Sequence, residues 1–390
     1  MNYKTLRNEY GFFRYPLIEI QINEVSLTAG NDRTYNIGVS DVTVDLTAGY
    51  EASQAVFHLY SVYDYQNAMF YTERIKNFIL LGSPVRILMG YRARVTEVFC
   101  GVITKVTFRV EEGDMASVQV TAMDMKAVMM ANRYNKKLRA TAYSDAVREI
   151  LDQGIYQSLK DTCAIKEFKI SNTPDVSPAP ASGPQKENNT DKTIEMVGES
   201  DYEFVVKVAK KFNYEFFVLG GTAYFRKAKS DVTKQIELTP GARITSLSVE
   251  YDMTGLVEQV EVRGLDVSKG KTVNSTVKNS NKLSMGNKAK SLITGSKFVY
   301  VDPTVSSAAD AGYRAKYLFE DMSYRYGTLE MTMVGLPDIL PGRYLTIADL
   351  GDAVSNDFYV QSVRHTMTRD GDFLTHIVGK TDKQSSGGLI

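Results

Sequence analysis

The chain has 390 residues, enough for two or three domains with substantial cores. Its 46 Lys and Arg balance 46 Asp and Glu, so no global field recruits nucleic acid or an anionic membrane surface. Two cysteines without C-x-x-C spacing indicate neither a disulfide framework nor a zinc site, and no apolar run reaches the roughly 18 residues needed to span a bilayer.

Residues 1 to 15 are mixed and polar and read as an arm or an irregular lead-in. Met1 to Asn8 lacks the apolar core of a signal peptide, so synthesis and assembly in a reducing cytoplasm are expected, with Cys100 and Cys163 as small hydrophobes. With 24 Tyr, 17 Phe and no Trp, the aromatic content suits strand packing. Leu17 to Asn23 alternates Ile18, Ile20 and Ile22 with polar residues, which is the pattern of a strand with one buried face. Residues 42–46 and 55–60 continue it. The stretch from Phe70 to Phe78 is ambiguous. Ala68, Tyr71, Ile75 and Phe78 lie at helical spacing, so a helix is favoured over roughly Tyr65 to Asn77. Strands at 85–91 and 98–106, a Glu111-Glu112-Gly113-Asp114 turn and a strand at 115–120 complete a first β-unit over residues 1–135.

The character changes over 136–240. Tyr143 to Leu151 is a short amphipathic helix. Residues 171–192 hold four of the ten prolines and read as an exposed linker. Ser200-x-x-Glu203 is a capping box, after which Phe204, Val205, Val208, Ala209 and Phe212 line one helix face. A hairpin follows, with strands at 214–218 and 222–226 about a Gly220-Gly221 turn.

The β pattern restarts over 241–380 with strands at 244–249 and 257–262. A polar excursion at 266–290 reads either as a long exposed hairpin or as a mobile loop. A helix is expected over 307–324, then strands at 329–334, 344–347, 358–365 and 373–378, with Gly/Pro turns between them. The second strand-turn-strand pair echoes the one at 98–120, and both halves read as strands, one helix, strands. That parallel suggests an internal duplication. Residues 381–390 read as a flexible tail. The expected fold class is α+β, mainly β: two tube-like antiparallel β-barrel domains, each with one helix, flanking a smaller α/β domain.

Candidate chemistry is sparse. His365 and His376 lie on adjacent expected strands and could pair in space, yet a metal site needs further ligands, and none sits at a useful spacing. Glu111, Glu112 and Asp370 to Asp372 lie in hairpin turns, where acids are ordinarily solvated. The lysine clusters at 207–211 and 269–290 read as solvated faces. No nucleophile elbow, phosphate loop or H-E-x-x-H motif occurs. Sparse chemistry with abundant β-structure points to a structural or interaction protein, without a catalytic residue, metal or cofactor.

Three stretches carry a family resemblance. Glu199-Ser200-Asp201-Tyr202-Glu203-Phe204-Val205 followed by Ala209 to Phe217 resembles a segment of the baseplate hub proteins of contractile tails. That group includes the phage late control gene D proteins, the T-even tail hub and the hub part of type VI secretion spike proteins. Phe99-x-Gly101-x-Ile103 resembles an early strand of that family. Gly335-x-Pro337, Pro341-Gly342, Tyr359-Val360, His365 and Gly371 resemble its closing barrel. Together they cover roughly 95–380. The linker and the polar excursion depart from the family pattern, as does the lack of a fused spike. The resemblance implies a homotrimeric ring with pseudo-six-fold symmetry, joining the inner tail tube to a separate central spike protein around a polar channel. Tape-measure and baseplate wedge proteins are further candidate partners, and specific nucleic-acid or membrane binding is not expected. It also implies a particle assembled in the bacterial cytoplasm as part of a virion tail baseplate or injection device. A tail-associated cell-wall hydrolase or carbohydrate-binding β-protein is the alternative.

Overall fold

Alternation of apolar and polar residues produces strands in the computed structural model, which describes residues 2–28, 37–76, 78–140, 142–162, 164–174, 194–266, 269–279 and 286–384. The first third holds α1 (Tyr3–Glu9), β1 (Pro16–Ile22), β2 (Val25–Ser26), β3 (Gly38–Thr47), β4 (Gln54–Tyr60), β5 (Tyr63–Asp64), β6 (Met69–Phe70), α2 (Thr72–Ile75), β7 (Pro84–Tyr91), β8 (Arg94–Arg109) and β9 (Ser117–Met123). The middle holds α3 (Lys126–Met129), β10 (Tyr134–Leu138), α4 (Tyr143–Leu151), α5 (Gly154–Asp161), β11 (Glu167–Ile170), β12 (Ile194–Glu199), α6 (Asp201–Phe212), β13 (Tyr214–Leu219) and β14 (Thr222–Lys227). The last part holds β15 (Lys234–Leu238), β16 (Ile244–Tyr251), β17 (Gln259–Asp266), β18 (Lys271–Lys278), α7 (Asn287–Ile293), β19 (Lys297–Val301), α8 (Ala308–Ser323), β20 (Gly327–Val334), β21 (Tyr344–Ile347), β22 (Asn356–Met367) and β23 (Phe373–Thr381).

The fold is α+β and mainly β, with its strands largely antiparallel. The first and last thirds do not stand apart as two barrels, and the described residues show no closed barrel. They share one 13-stranded sheet, in which β22 pairs with β3. One core runs beneath it, from Ile20 and Val44 to Met331 and Ile377. The α/β unit has its own core, which begins at Met125 and includes Phe204, Val205, Val208, Ala209 and Phe216. Its carboxy boundary falls before β15, because β15 pairs with β21 of the large sheet.

Several expectations change. No helix runs through the described residues from Tyr65 to Lys76. The Asp64 carboxylate accepts from the Gln66 and Asn67 backbone N–H groups, and Ala68 has φ 51°. An Asx turn therefore captures the donors that a helix would need, and only Thr72–Ile75 winds. The lead-in is not irregular: it forms α1, and Leu6, Tyr10 and Phe13 enter the main core. The excursion at 266–290 is partly a hairpin, since β17 and β18 pair antiparallel; residues 267–268 and 280–285 lie outside the described set. Most of the linker at 171–192, and Cys163, also lie outside it. The tail begins later than expected. Thr381 ends β23, and the Asn356 side chain donates to the Lys383 carbonyl; residues 385–390 are not described.

The capping box forms as expected: Ser200 accepts from the Glu203 N–H, while the Glu203 carboxylate accepts from the Ser200 N–H. The helix at 307–324 is α8, capped by Ser307.

Candidate functional site

Two blocks of four strands follow one another from one end of the large sheet. In one the order is β16-β20-β23-β22; in the other it is β3-β4-β9-β8. By chain order each block reads first, second, fourth, third. Every neighbouring pair across these eight strands is antiparallel. The third strand of each block is long and changes partner part-way along. β22 gives its amino-terminal end to β21 and its carboxy half to β3. β8 gives its amino half to β7. Beyond Ile103, however, the corresponding edge of β8 meets no strand among the described residues, and β16 is paired on one side only, by β20.

The ladders also fix the faces. One row runs across the sheet through Ser246, Thr332, His376, Arg364, Asp45 and Gln54. It is polar and at least partly open to solvent. Arg364 donates to Asp45 at 2.5 Å, so an ion pair crosses the joint between the blocks. The opposite face carries Val44, Leu46, Val363 and His365 into the core.

This register separates the two histidines that adjacent strands could have brought together. His365 pairs with Thr375, whereas His376 pairs with Arg364, so the rings lie on opposite faces. His365 is fully buried, and its Nδ1 lies 2.9 Å from the Thr375 hydroxyl, which also accepts from the Leu336 N–H. Burial pushes its pKa down to about 3, so the ring stays neutral. Glu111, Glu112, Asp370 and Asp372 are exposed turn residues. Among the described residues, no group of three or more His, Cys, Asp or Glu is placed to hold a metal.

A largely buried titratable cluster joins the α/β unit to the sheet. Glu215 on β13 accepts from Arg226 Nε at 2.7 Å and from the Tyr359 hydroxyl at 2.5 Å. Arg226 also donates to the Gly342 carbonyl at 2.5 Å. Burial pushes the Glu215 carboxyl and the Tyr359 hydroxyl up, and the Arg226 guanidinium opposes the shift at both. A cleft of about 510 Å³ opens beside them, lined in part by Lys210, Lys229, Tyr317 and Tyr324. With their hydrogen bonds satisfied by one another, Glu215, Arg226 and Tyr359 act as a pin between two units.

Phe99, Ile103, Phe204 and Val360 are core side chains. A Cβ on Gly101 would sit 2.2 Å from the Met123 carbonyl oxygen, so only glycine allows that strand approach. Gly342 has φ +83°, and a Cβ there would press on the Phe217 ring. Glu199 pairs with Lys207 at 2.5 Å; Asp201 is buried and accepts from the Tyr134 and Tyr156 hydroxyls. The Gly335 carbonyl accepts from the Tyr91 hydroxyl, Pro337 and Pro341 are buried, and Gly371 occupies the β22–β23 turn. Sequence reasoning missed the Glu215–Arg226–Tyr359 pin, although an acid and an arginine on facing hairpin strands were a readable signal.

No curated protein matches the sequence. Solved structures share the fold. The tail protein from Neisseria meningitidis MC58 aligns with TM-score 0.64 and 13% identity over 94% of this chain and 97% of its own. The 43 kDa tail protein of prophage MuSo2 from Shewanella oneidensis gives 0.62 and 13% over 93% and 98%. An E. coli component of the type VI secretion system, itself described as similar to T4 tail proteins, gives 0.53 and 13% over 92% and 76%. At such identities the likeness is one of fold. The family model described as the Alg8 N-terminal domain matches residues 28–175 and 183–369. Since that match spans most of its length, the chain belongs to the Alg8 N-terminal domain family.

Proposed function

We propose that the chain is a non-catalytic hub protein of a contractile phage tail or related injection particle. In this reading, which retains the resemblance to the late control gene D group, three copies form a ring with pseudo-six-fold symmetry. The ring joins a hexameric inner tail tube to a trimeric central spike supplied by a separate protein, and it lines the channel in the virion baseplate or injection device. The observation that carries it is repetition within one chain. Two blocks with the same strand order sit side by side in one sheet. A trimer of such chains offers six similar units to a six-fold partner and three identical ones to a three-fold partner. The polar row through Arg364 and Asp45 fits a channel wall, and the similar structures, two tail proteins and a secretion component, fit the same role.

Light scattering tests this directly: the expected mass is three times the 43.5 kDa chain, with rings in negative-stain images and co-sedimentation with tube and spike proteins. A stable monomer that binds neither partner would overturn the proposal, as would clearing of cell-wall substrate.

A further inference from the structure

We propose that copies of this chain join edge to edge, the carboxy half of β8 in one copy taking β16 of the next as its antiparallel neighbour. The register sets Lys105 opposite Glu250, Val106 opposite Val249 and Phe108 opposite Leu247. This names the contact surface of the ring proposed above, and it is independent of what the ring binds.

The template lies inside the chain. β22 is irregular between Val360 and Ser362; β8 is irregular between Ile103 and Lys105. Matching these bulges equates Ser362 with Lys105, Val363 with Val106, His365 with Phe108 and Met367 with Val110. Likewise β3 is irregular between Ser40 and Thr43, and β16 between Ile244 and Ser246. That equates Val44 with Leu247, Leu46 with Val249 and Thr47 with Glu250. At the internal joint Ser362 pairs with Thr47, Val363 with Leu46 and His365 with Val44. Carrying these pairs to the equivalent positions yields the stated register with no adjustable offset.

Three observations favour this occupant. The first is burial: His365 and Met367 are 0% and 8% exposed, whereas their equivalents Phe108 and Val110 are 46% and 54% exposed. Phe108 packs on Phe70 and, with Lys105 and Val106, lines a groove beside residues 72–81, but no strand among the described residues pairs along its edge. Such an apolar edge is a pairing site that a second strand would cover. The second is direction. Eight alternating strands separate the two open edges, so β16 and β8 run oppositely and meet antiparallel when all copies face the same way. That head-to-tail contact closes into a ring by rotation. The third is charge. Lys105 and Glu250, both exposed, become a cross-strand pair on the polar face, the same face on which Arg364 and Asp45 cross the internal joint.

Cysteine trapping in the full chain tests the register, with Cys100→Ala and Cys163→Ser removing the native thiols. Cross-strand Cβ atoms lie about 4.5–5.5 Å apart, near disulfide reach. Oxidised Val106→Cys/Val249→Cys is expected to run as covalent oligomers on a non-reducing gel, while the slipped pair Val106→Cys/Ser248→Cys stays monomeric. In the otherwise native chain, Lys105→Glu should weaken self-association at least tenfold, and adding Glu250→Lys should restore it. Oligomers that form with neither the trapped pair nor any response to Lys105→Glu would overturn this interface and leave the tube-and-spike reading intact. Trapped rings that bind neither tube nor spike would support the interface and sink that reading instead.

Discussion

The joint between β22 and β3 and the open edges of β8 and β16 follow one strand plan, yet their side chains differ in what they achieve within a single chain. At the joint, Val363, His365, Val44 and Leu46 are buried and belong to the fold. At the edges, Phe108 and Val110 are exposed and Leu247 and Val249 only half-covered. Equal topology therefore does not mean equal energetic role: a closed joint stabilises the chain, while an open one stores apolar area for association. The blocks also solve close strand approach differently. The first leaves room with Gly101 against the Met123 carbonyl, the second with Gly379 against Phe358.

The largest effect should come from closing that room. Gly101→Val puts a branched side chain where a Cβ alone would lie 2.2 Å from backbone. Loss of folded protein, or a melting temperature lower by roughly 10 °C, is expected in a thermal melt followed by circular dichroism. Wild-type melting would mean that the two blocks tolerate the same residues there. Next, Leu46→Ala at the joint should cost roughly 2–5 kcal/mol in urea unfolding. The same change at Leu247, measured where the chain is monomeric, should cost less than half as much. Equal costs would show the edge to be already covered within the chain.

A third effect depends on pH. The folded-state pKa of His365 is lowered to about 3, so below its ordinary value near 6.5 the unfolded chain binds the extra proton. Stability should accordingly fall by about 1.4 kcal/mol per pH unit between these limits as pH drops. His365→Phe, which installs the residue found at the equivalent position of the other block, should remove that component. An unchanged pH profile in the variant would assign the dependence to other groups. The smallest effect, about 1 kcal/mol, is expected for Ser200→Ala, which removes the α6 cap. It should lower the melting of the α/β unit and leave self-association unaltered, whereas Lys105→Glu should do the reverse.

What the sequence determined by itself was local. The Ser200–Glu203 capping box, the 214–227 hairpin and the Ser307-capped helix each depend on residues a few positions apart, and each forms where its pattern lies. The region from Tyr65 to Asn77 misled because its helical spacing competed with an Asx turn at Asp64, and the turn won. The His365 and His376 pairing failed because register, set by the whole ladder, decides which face each residue takes. The Glu215–Tyr359 contact spans 144 residues, and the β22–β3 joint links the two ends of the chain. Alternation tells a strand which side is apolar; it does not say which strand lies beside it. Only the tertiary structure decided that two β-units share one sheet and leave complementary edges open, because strand neighbours are chosen by long-range packing and backbone pairing rather than by nearby residues.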